Sequence, residues 1–514
     1  QQRTHLDEAQ HLAESQLLQR CRDLLTDARV TSKFQERLTL IGRSNQGHGS
    51  PVTIQQQWGL LVRFLFSCLI DADRIDTADF EKRRQRSFRP GGRYTNWTVL
   101  IERLERHLAH LPPTRPIDHL RQDISLHCQQ AGARPGGIYT LTVPTGGGKT
   151  LASLRFALHH AKERGLDRII YVIPFTSIID QNAKVVRDVL EPEDAPQDRG
   201  RVVLEHHGSL TPEQQTWREK VLCENWDAPI IYTTMVQLLE ALFGAGTRGA
   251  RRMHQLSRAV LVFDEVQTLP VKCAHLFNNA MNFLAEQCST TVLLCTATQP
   301  LLHDVNPAKG SIRLASKPEL MPDVGQLFKA LQRVTVNDRR KAGGWADQEV
   351  AELAATEVQN SGSCLVIVNT KASARRIFEL CASVLASDAI FHLSTDMCPA
   401  HRKTRLAALL ARLREGLPTL CVSTQLIEAG VDVDFGGVIR FMAGLDSIAQ
   451  AAGRCNRNGR RVKGSVYVVN PQVENLDKLP DILQGRNAAL RVLDEFQQKP
   501  ERFDDDLLSP TAMH

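Results

Sequence analysis

The 514-residue chain lacks any pair of cysteines with the spacing C-x-x-C, although it contains 12 cysteines. They stand singly, and several, such as Cys295 and Cys421, lie in apolar, strand-like runs where a reduced thiol packs as a small hydrophobic group. This pattern is typical of neither a zinc site nor a disulfide scaffold, and it favours a reducing, cytoplasmic location. The sequence also lacks a secretory signal and any apolar run of about 18 residues, so we expect no membrane partner.

The composition is that of an ordinary globular protein, with 42% hydrophobic and 23% charged residues. A formal charge of +6 is compatible with a nucleic-acid groove but does not establish one. There are no low-complexity tracts or short repeats, and the length allows two or three domains, each with its own core.

The first part of the chain is predicted to be helical, because residues 1–110 contain no β-rich run. Apolar residues recur with helical spacing over His11–Leu25 and Gln57–Ile70. The breaker-rich segment Leu111–Pro116 then predicts a boundary. After it, short β-rich runs alternate with helical patterns, at Ile138–Val143, Arg168–Ile173, Val202–Glu205, Pro229–Tyr232, Ala259–Phe263 and Thr290–Cys295.

A polar, irregular stretch over 303–345 precedes a second alternating series, with runs at Cys364–Val368, Ile390–Leu393, Thr419–Val422, Val438–Phe441 and Ser465–Val469. Alternation of this kind predicts parallel sheets covered by helices, with ligands at the carboxyl ends of the strands. We therefore predict a helical segment over 1–110, a first α/β domain over 111–305, a linker over 306–345, a second α/β domain over 346–495 and the start of a further linker over 496–514.

The segment Leu141–Thr150, LTVPTGGGKT, has the layout of a phosphate-binding loop between a strand and a helix. Glycines let backbone N–H groups approach a polyphosphate, a lysine adds a charge and a threonine hydroxyl can hold Mg²⁺. Val143 occupies the position of the usual first glycine, and a glycine-rich turn with a fortuitous lysine would look similar. The predicted ATP contacts are Thr145, Gly146, Gly147, Gly148, Lys149 and Thr150.

Two carboxylates follow an apolar run in AVLVFDEVQ, over Ala259–Gln267. Asp264 is predicted to hold Mg²⁺ together with Thr150, and Glu265 to polarise the attacking water. An acidic pair after a strand can also be a simple turn or helix cap. The run Thr296–Thr298 ends another strand, where its hydroxyls could couple the nucleotide site to a nucleic-acid groove.

The second α/β domain carries QAAGRCNR over Gln450–Arg457. On a helix, Gln450, Arg454 and Arg457 would share one face, and the two guanidiniums could serve as arginine fingers, although a basic helix surface has the same pattern. The segment Ser423–Asp434 adds Glu428, Gly430 and Asp432 near the same cleft, Gly430 and Asp432 as ATP contacts. A site completed by closure of two domains is the architecture of an ATP-driven motor.

Polar residues at other strand ends are candidate nucleic-acid contacts, of the kind that track phosphates without reading sequence. Simple loop polarity is the alternative for each. The pair His206–His207 also ends a strand, and we expect a loop role for it rather than a metal site, because no partner ligand lies at suitable spacing. The candidate contacts are Phe175, Thr176, Thr233, Thr234, Thr370, Thr424 and Gln425.

Together these blocks resemble the superfamily 2 helicases, and within them the CRISPR-associated helicase–nuclease of type I interference systems. The resemblance extends from about Asp118 to Asn470, and the forms ENWDAPIIYTT and DEVQTLP are most similar to subtype I-C. Further blocks that carry it are RIIYVIPFTSIIDQNA, LEHHGSL, LLCTATQP, STQLIEAGVDVDF and QAAGRCNRNG.

The resemblance implies two tandem RecA-like domains and ATP-driven movement along single-stranded DNA in the 3′ to 5′ direction. It implies recruitment by an RNA-guided surveillance complex, through that complex's large subunit, and coupling to DNA degradation. Gln267 stands where the family's DExH form has histidine. Because its amide both donates and accepts hydrogen bonds, we expect changed coupling rather than lost hydrolysis.

The family's N-terminal HD nuclease needs several histidines and a His–Asp dipeptide as metal ligands. No such dipeptide precedes the motor, and His5, His11 and His48 stand alone. Only Phe64–Thr77 resembles the nuclease's final helix, with Asp73, or else Asp71, as the metal ligand. We expect the chain to begin inside or after much of the HD domain, or the domain to be degraded, so a transition metal would bind only with ligands missing here. The chain also stops at His514, near where the family's C-terminal domain would start.

Three alternatives remain open at this point. The chain could be a superfamily 2 DNA or RNA helicase outside CRISPR defence, since ATP motifs do not discriminate the sugar. It could be a nucleic-acid-binding scaffold without hydrolysis, which the intact Lys149 and Glu265 disfavour. It could be a nuclease, which the missing histidines disfavour.

Overall fold

The computed structural model describes residues 19, 27–47, 49–81, 87, 89–174, 176–208, 216–428 and 431–513. Among the described residues, four helices precede the first strand: α1 (Asp27–Ser44), α2 (Pro51–Glu81), α3 (Trp97–Ala109) and α4 (Pro116–Ala131). The Asn96 side chain accepts a hydrogen bond from the Thr98 amide and so caps α3. In the described part of residues 1–110 there is no strand, as the sequence predicts.

The first sheet has six parallel strands in the order β1-β6-β5-β2-β4-β3. They are β1 (Ile138–Thr142), β2 (Arg168–Ile173), β3 (Val203–His206), β4 (Ile230–Thr234), β5 (Ala259–Asp264) and β6 (Thr291–Thr296). The α-helices between them are α5 (Lys149–Arg164), α6 (Thr176–Leu190), α7 (Trp217–Asn225), α8 (Met235–Phe243), α9 (Thr247–Ala250) and α10 (Ala274–Gln287). Short 3₁₀ turns lie at Pro196–Asp198, Met253–Leu256, Val266–Thr268 and Val271–Cys273.

The second sheet also has six parallel strands, in the order β7-β12-β11-β8-β10-β9. They are β7 (Val334–Asp338), β8 (Ser363–Ile367), β9 (Ile390–Leu393), β10 (Thr419–Ser423), β11 (Gly437–Phe441) and β12 (Gly464–Val469). The α-helices that follow β6 in the chain are α11 (Val324–Ala330), α12 (Asp347–Ser361), α13 (Lys371–Ala382), α14 (Pro399–Arg414), α15 (Leu445–Ala452), α16 (Pro480–Gln498) and α17 (Pro510–Met513), with 3₁₀ turns at Gln425–Ile427 and Pro500–Phe503.

One sequence expectation needs correction here, because the stretch 303–345 is not irregular throughout. It contains α11 and β7, and β7 pairs in parallel with β12, so that Val336 lies beside Val466. At the edge of the sheet only Val334 of β7 is fully buried, so the strand lacks the continuous apolar run of its neighbours.

The sheets form three-layer α/β units whose central strands are buried on both faces, which explains their unbroken apolar runs. In the first sheet β6 lies between β1 and β5, with Thr142 beside Thr296 and Asp264 beside Cys295. The loops that follow β1, β5 and β6 therefore meet at one edge. Among the described helices, none has the length and apolarity required to cross a membrane.

Candidate functional site

The glycine loop after β1 turns directly into α5, and two of its glycines have a left-handed backbone, with φ of +85° at Gly146 and +82° at Gly148. Gly147 lies against Val143, since an added Cβ would stand 2.4 Å from Val143 Cγ1. The valine that replaces the usual first glycine thus packs into the space left by a later glycine. The loop and the N-terminus of α5 line a cleft, where the sequence predicts that phosphates bind.

A compact charge cluster stands beside this loop. Lys149 Nζ lies 3.0 Å from Glu265 Oε1, and burial of the lysine is outweighed by Glu265 and Asp264, so the pKa of Lys149 is raised. Burial would raise the pKa of Glu265, but Lys149 and Gln267 hold it below its ordinary value. Glu265 also has a left-handed backbone, with φ of +52°, a form of strain that clusters at active sites.

Asp264 fits the part of a magnesium ligand. Burial, reinforced by the charge of Glu265, raises the pKa of Asp264 to about 6. Its Oδ1 is buried without a hydrogen-bond partner among the described residues, which leaves an acceptor free for a cation. Thr150, in the first turn of α5, lines the same cleft, and carboxylate and hydroxyl oxygens are the ligands that Mg²⁺ prefers.

A line of side-chain hydrogen bonds joins the charge cluster to the end of β6. Gln267 Nε2 donates to Glu265 Oε2 at 2.6 Å, and Thr296 Oγ1 donates to Gln267 Oε1 at 2.5 Å. The Thr298 amide donates back to Thr296 Oγ1 at 3.0 Å. Gln267 therefore uses both the donor and the acceptor that its sequence position predicts, and the loop after β6 is tied to Glu265.

The second domain closes the site from the opposite side, around a cleft of about 340 Å³. Arg457 Nε forms an ion pair with Asp432 Oδ1 at 2.8 Å. The Arg454 guanidinium is buried and donates to the backbone carbonyl of Glu428, and burial lowers its pKa to about 9. The cleft is lined by Arg121, Thr145, Gly146, Gly148, Lys149, Thr150, Gln181, Asn182, Val185, Asp264, Glu265, Val431, Asp432, Arg454, Arg457 and Asn458.

The helical face expected for QAAGRCNR is wrong, because α15 ends at Ala452 and the chain turns at Gly453. Both arginines reach the cleft from this turn, whereas Gln450 stays on α15, half-buried and outside the cleft lining. Gly453 lies against Thr145, since an added Cβ would stand 2.6 Å from Thr145 Cβ. Only a residue without a side chain lets the two domains approach this closely.

Two further arginines that the sequence analysis missed hold the loop. Arg121 Nε on α4 donates to the Gly146 carbonyl at 2.9 Å. Arg333 donates to the Thr145 carbonyl at 2.5 Å and to the Arg457 carbonyl, so it bridges the two domains. Arginines are common on surfaces, and neither residue lies in a recognisable motif, so no signal in the sequence distinguished them.

Comparison with known proteins agrees with this geometry. Residues 131–305 match the DEAD/DEAH box helicase family, and residues 360–460 match the family described as CRISPR-associated nuclease/helicase Cas3, C-terminal. The CRISPR-associated nuclease/helicase Cas3 of Haloferax volcanii is 28% identical in an alignment 497 positions long, and the matched residues cover 74% of this chain and 53% of that protein. Together these matches support a CRISPR-associated superfamily 2 helicase of the Cas3 type.

Solved structures of Cas3 share the fold of this chain. The T. fusca Cas3 crystal structure superposes with a TM-score of 0.59 at 18% identity, covering 79% of this chain and 54% of that one. Its complex with AMPPNP gives a TM-score of 0.57 at 18% identity, covering 75% and 51%. Two RecA-like domains are therefore confirmed, and the chain spans about half the length of the Cas3 proteins it matches.

The predicted nucleic-acid contacts of this chain are mostly engaged within the protein. Thr233 Oγ1 donates to the His206 carbonyl at 3.0 Å, and Gln425 Nε2 donates to the Asn369 carbonyl at 3.2 Å. Thr234 and Thr370 cap α8 and α13 through their hydroxyls, and Thr424 is buried. Phe175 and Gly430 lie outside the described residues, and of Thr176 only the backbone, at the start of α6, is described.

His207 has carboxylate neighbours after all, which corrects the expectation drawn from sequence spacing. Its Nε2 lies 3.2 Å from Asp180 Oδ1 and 3.8 Å from Glu205 Oε2, and the ligand atoms of the three residues lie within 4.8 Å of one another. Burial disfavours the imidazolium, but the two carboxylates outweigh it and raise the pKa of His207 to about 9. An imidazolium at this position forms an ion pair with the two carboxylates.

A basic groove of about 1180 Å³ lies between α2 and the carboxyl end of β3. It continues from His206 and His207 past α8 and α9, and five cationic side chains line it against two acidic ones. These are Arg74, Lys220, Arg248, Arg251 and Arg252, with Glu224 and Glu240. A surplus of positive charge in an open groove is suited to a phosphodiester backbone.

The segment that resembles the final helix of the HD nuclease lies within α2, where its two aspartates have different surroundings. Asp73 is exposed on α2, whereas Asp71 is buried and accepts hydrogen bonds from Arg251 Nε at 2.6 Å and Asn225 Nδ2 at 3.0 Å. Neither aspartate belongs to a group of three potential metal ligands in the described part of the chain. Asp71 instead fastens α2 to the first RecA-like domain.

Proposed function

We propose that the chain is an ATP-dependent translocase on single-stranded DNA in CRISPR type I interference. By the family resemblance it moves 3′ to 5′, an RNA-guided surveillance complex recruits it through its large subunit, and it unwinds target DNA for degradation. The blocks ENWDAPIIYTT and DEVQTLP support subtype I-C. One observation carries the proposal: Lys149, Asp264 and Glu265 of the first domain face Arg454 and Arg457 of the second across one cleft.

Residues of both domains contribute to ATP hydrolysis. The amides of Gly146–Thr150 and the Lys149 ammonium bind the phosphates. Thr150 and Asp264 would hold Mg²⁺, which would supply charge neutralisation there. Glu265 orients the attacking water. Arg454 and Arg457 stabilise charge that develops on the transferred phosphoryl group, and they reach it only while the domains are closed.

The basic groove supports a path for the DNA strand. The groove begins beside the ends of β3 and β4, and Arg74, Lys220 and Arg248 supply charge without base-specific contacts. Cutting of DNA by this chain's own residues is not part of the proposal. In the part of the chain that the structure describes, the one group of three potential metal ligands is the His207 salt bridge.

The test is ATP hydrolysis with and without single-stranded DNA. We expect stimulation by DNA and a loss of roughly a hundredfold or more in Lys149→Ala, since this change removes a preorganised charge at the phosphates. The exposed Lys478→Ala serves as the matched control. Wild-type protein that hydrolyses ATP at the same rate without DNA would refute a DNA motor. Stimulation by RNA alone would favour the RNA helicase, and binding without hydrolysis the scaffold.

A further inference from the structure

Arg440 is an arginine at the centre of a parallel sheet, on β11, with 0% of its surface exposed. Arginine is almost never fully buried unless it is paired, because taking a guanidinium out of water is costly. The neighbouring residues of β11, Ile439 and Phe441, are apolar and equally buried. A charge in this position therefore needs partners that hold it, and those partners indicate what it does.

Arg440 reaches two loops at once. Its Nε lies 2.6 Å from Glu428 Oε1, in an ion pair that is buried on both sides. Its Nη1 donates to Asn369 Oδ1 at 2.7 Å and to the Phe441 carbonyl at 2.7 Å. The planar guanidinium can hold two partners in different directions, which a lysine ammonium on a flexible stem does less well.

The first of these loops, Asn369–Lys371, follows β8 at the edge where nucleic-acid contacts are predicted. Asn369 is fixed there by more than Arg440, since its Nδ2 donates to Glu474 Oε2 at 2.8 Å and to the Met442 carbonyl at 2.9 Å. Gln425, another predicted nucleic-acid contact, donates to the Asn369 carbonyl at 3.2 Å. Movement of this loop therefore acts on Asn369 and through it on Arg440.

The second loop contains Glu428 and holds Arg454, one of the two arginines of the nucleotide cleft. The Glu428 carbonyl accepts hydrogen bonds from Arg454 Nε at 3.1 Å and Arg454 Nη2 at 2.6 Å. The Glu428 side chain is 4% exposed and points to Arg440. The same residue thus holds Arg454 with its backbone and Arg440 with its carboxylate.

We propose that Arg440 is a positioning residue that couples the strand-facing loop Asn369–Lys371 to Arg454 through Glu428. The coupling rests on the proposed function, because it links binding of a DNA strand to ATP hydrolysis. A strand that shifts the loop shifts Asn369, and the Arg440–Glu428 pair carries that shift to the carbonyl that holds Arg454.

The decisive variant is Arg440→Lys, which keeps the positive charge beside Glu428 but removes the fork that also reaches Asn369. The matched control is Ile439→Val, a small change in the same buried strand without a polar contact. For both variants and the wild type, the basal turnover, the turnover with a saturating thymidine oligonucleotide, the KM for ATP and the melting temperature are measured. If Arg440→Lys does not fold, Arg440→Met combined with Glu428→Leu replaces the buried pair by apolar groups of similar size.

We expect the ratio of stimulated to basal turnover to fall roughly tenfold in Arg440→Lys, with the KM for ATP and the basal turnover little changed. In Ile439→Val the ratio should stay at the wild-type value. A general loss of packing would instead lower both turnovers together with the melting temperature. If the oligonucleotide stimulates Arg440→Lys as strongly as the wild type, the coupling role of Arg440 is refuted, whereas the proposed ATP-dependent translocase is not. If it fails to stimulate the wild type, both proposals fall.

Discussion

Asp71 anchors α2 to the first RecA-like domain through buried polar contacts. Asp71→Ala should loosen this helix from the first RecA-like domain. Asp71 is 5% exposed, and its carboxylate accepts from Arg251 Nε at 2.6 Å and Asn225 Nδ2 at 3.0 Å. His254 Nε2 lies 3.4 Å from the same carboxylate. No other described acidic side chain of α2 is buried to this extent.

The magnitude follows from what the substitution leaves behind. Removing one partner of a buried ion pair typically costs about 3–5 kcal/mol, because the other charge stays buried. Arg251 keeps Glu224 at 3.0 Å, but that carboxylate is 48% exposed and compensates only in part. We therefore expect a cost near the lower limit, about 3 kcal/mol, which raises the open fraction of α2 about a hundredfold.

Hydrogen exchange of the α2 amides measures this opening directly, since a docked helix is protected in proportion to the free energy of opening. The matched control is Asp73→Ala, two residues away and exposed, which should change protection by less than about 0.5 kcal/mol. Equal effects of the two substitutions would refute the anchor. So would unchanged protection in Asp71→Ala accompanied by lost Mn²⁺ binding, because that result would make Asp71 a ligand.

Two further predictions follow from the site. Gln267→Leu removes the hydrogen-bonded link between Glu265 and Thr296. DNA-stimulated turnover should therefore fall roughly tenfold, a coupling loss of about 1–2 kcal/mol, while basal turnover keeps its order of magnitude. Abolished basal turnover would contradict this prediction. The pKa of His207 is raised to about 9, so its ion pair stabilises the fold fully below the unfolded pKa of about 6.5 and less as the pH rises through 9. Because Asp180 is 59% exposed, we expect the free energy of unfolding, measured with urea, to fall by only about 1 kcal/mol over this pH range. In His207→Gln this fall should be absent. A pH-independent difference between the two proteins would argue against this ion pair.

Most of the fold could be predicted from the sequence because central parallel strands are buried on both faces. Runs such as Arg168–Ile173 and Ile390–Leu393 coincide with β2 and β9. The strand β7 was missed for the same reason, since an edge strand with one well-buried residue carries little of that signal. Sequence order also does not give the order of strands in a sheet, and it was the structure that placed β6 between β1 and β5.

The site residues likewise include some whose positions could be predicted from the sequence and some whose positions could not. Lys149 begins the helix after β1, and the pair Asp264–Glu265 stands at the end of β5, so their place at the sheet edge could be inferred from chain order. Arg454 was assigned to the right region for the wrong reason, because the helix stops before it. Arg440 carried a signal that was overlooked: a charge inside the apolar run Val438–Phe441 contradicts its surroundings and so indicates a buried partner.

The hydrogen-bond partners of Gln267 fix the orientation of its side-chain amide. An ionised carboxylate only accepts hydrogen bonds, so the amide nitrogen of Gln267 must face Glu265, and its oxygen must then accept from Thr296. A neutral histidine could make the same two bonds, but on protonation its acceptor would be lost. Glutamine has no such second state. The link between the nucleotide site and the loop after β6 therefore does not depend on protonation of the residue at position 267, and this is the physical reason to expect changed coupling rather than lost hydrolysis.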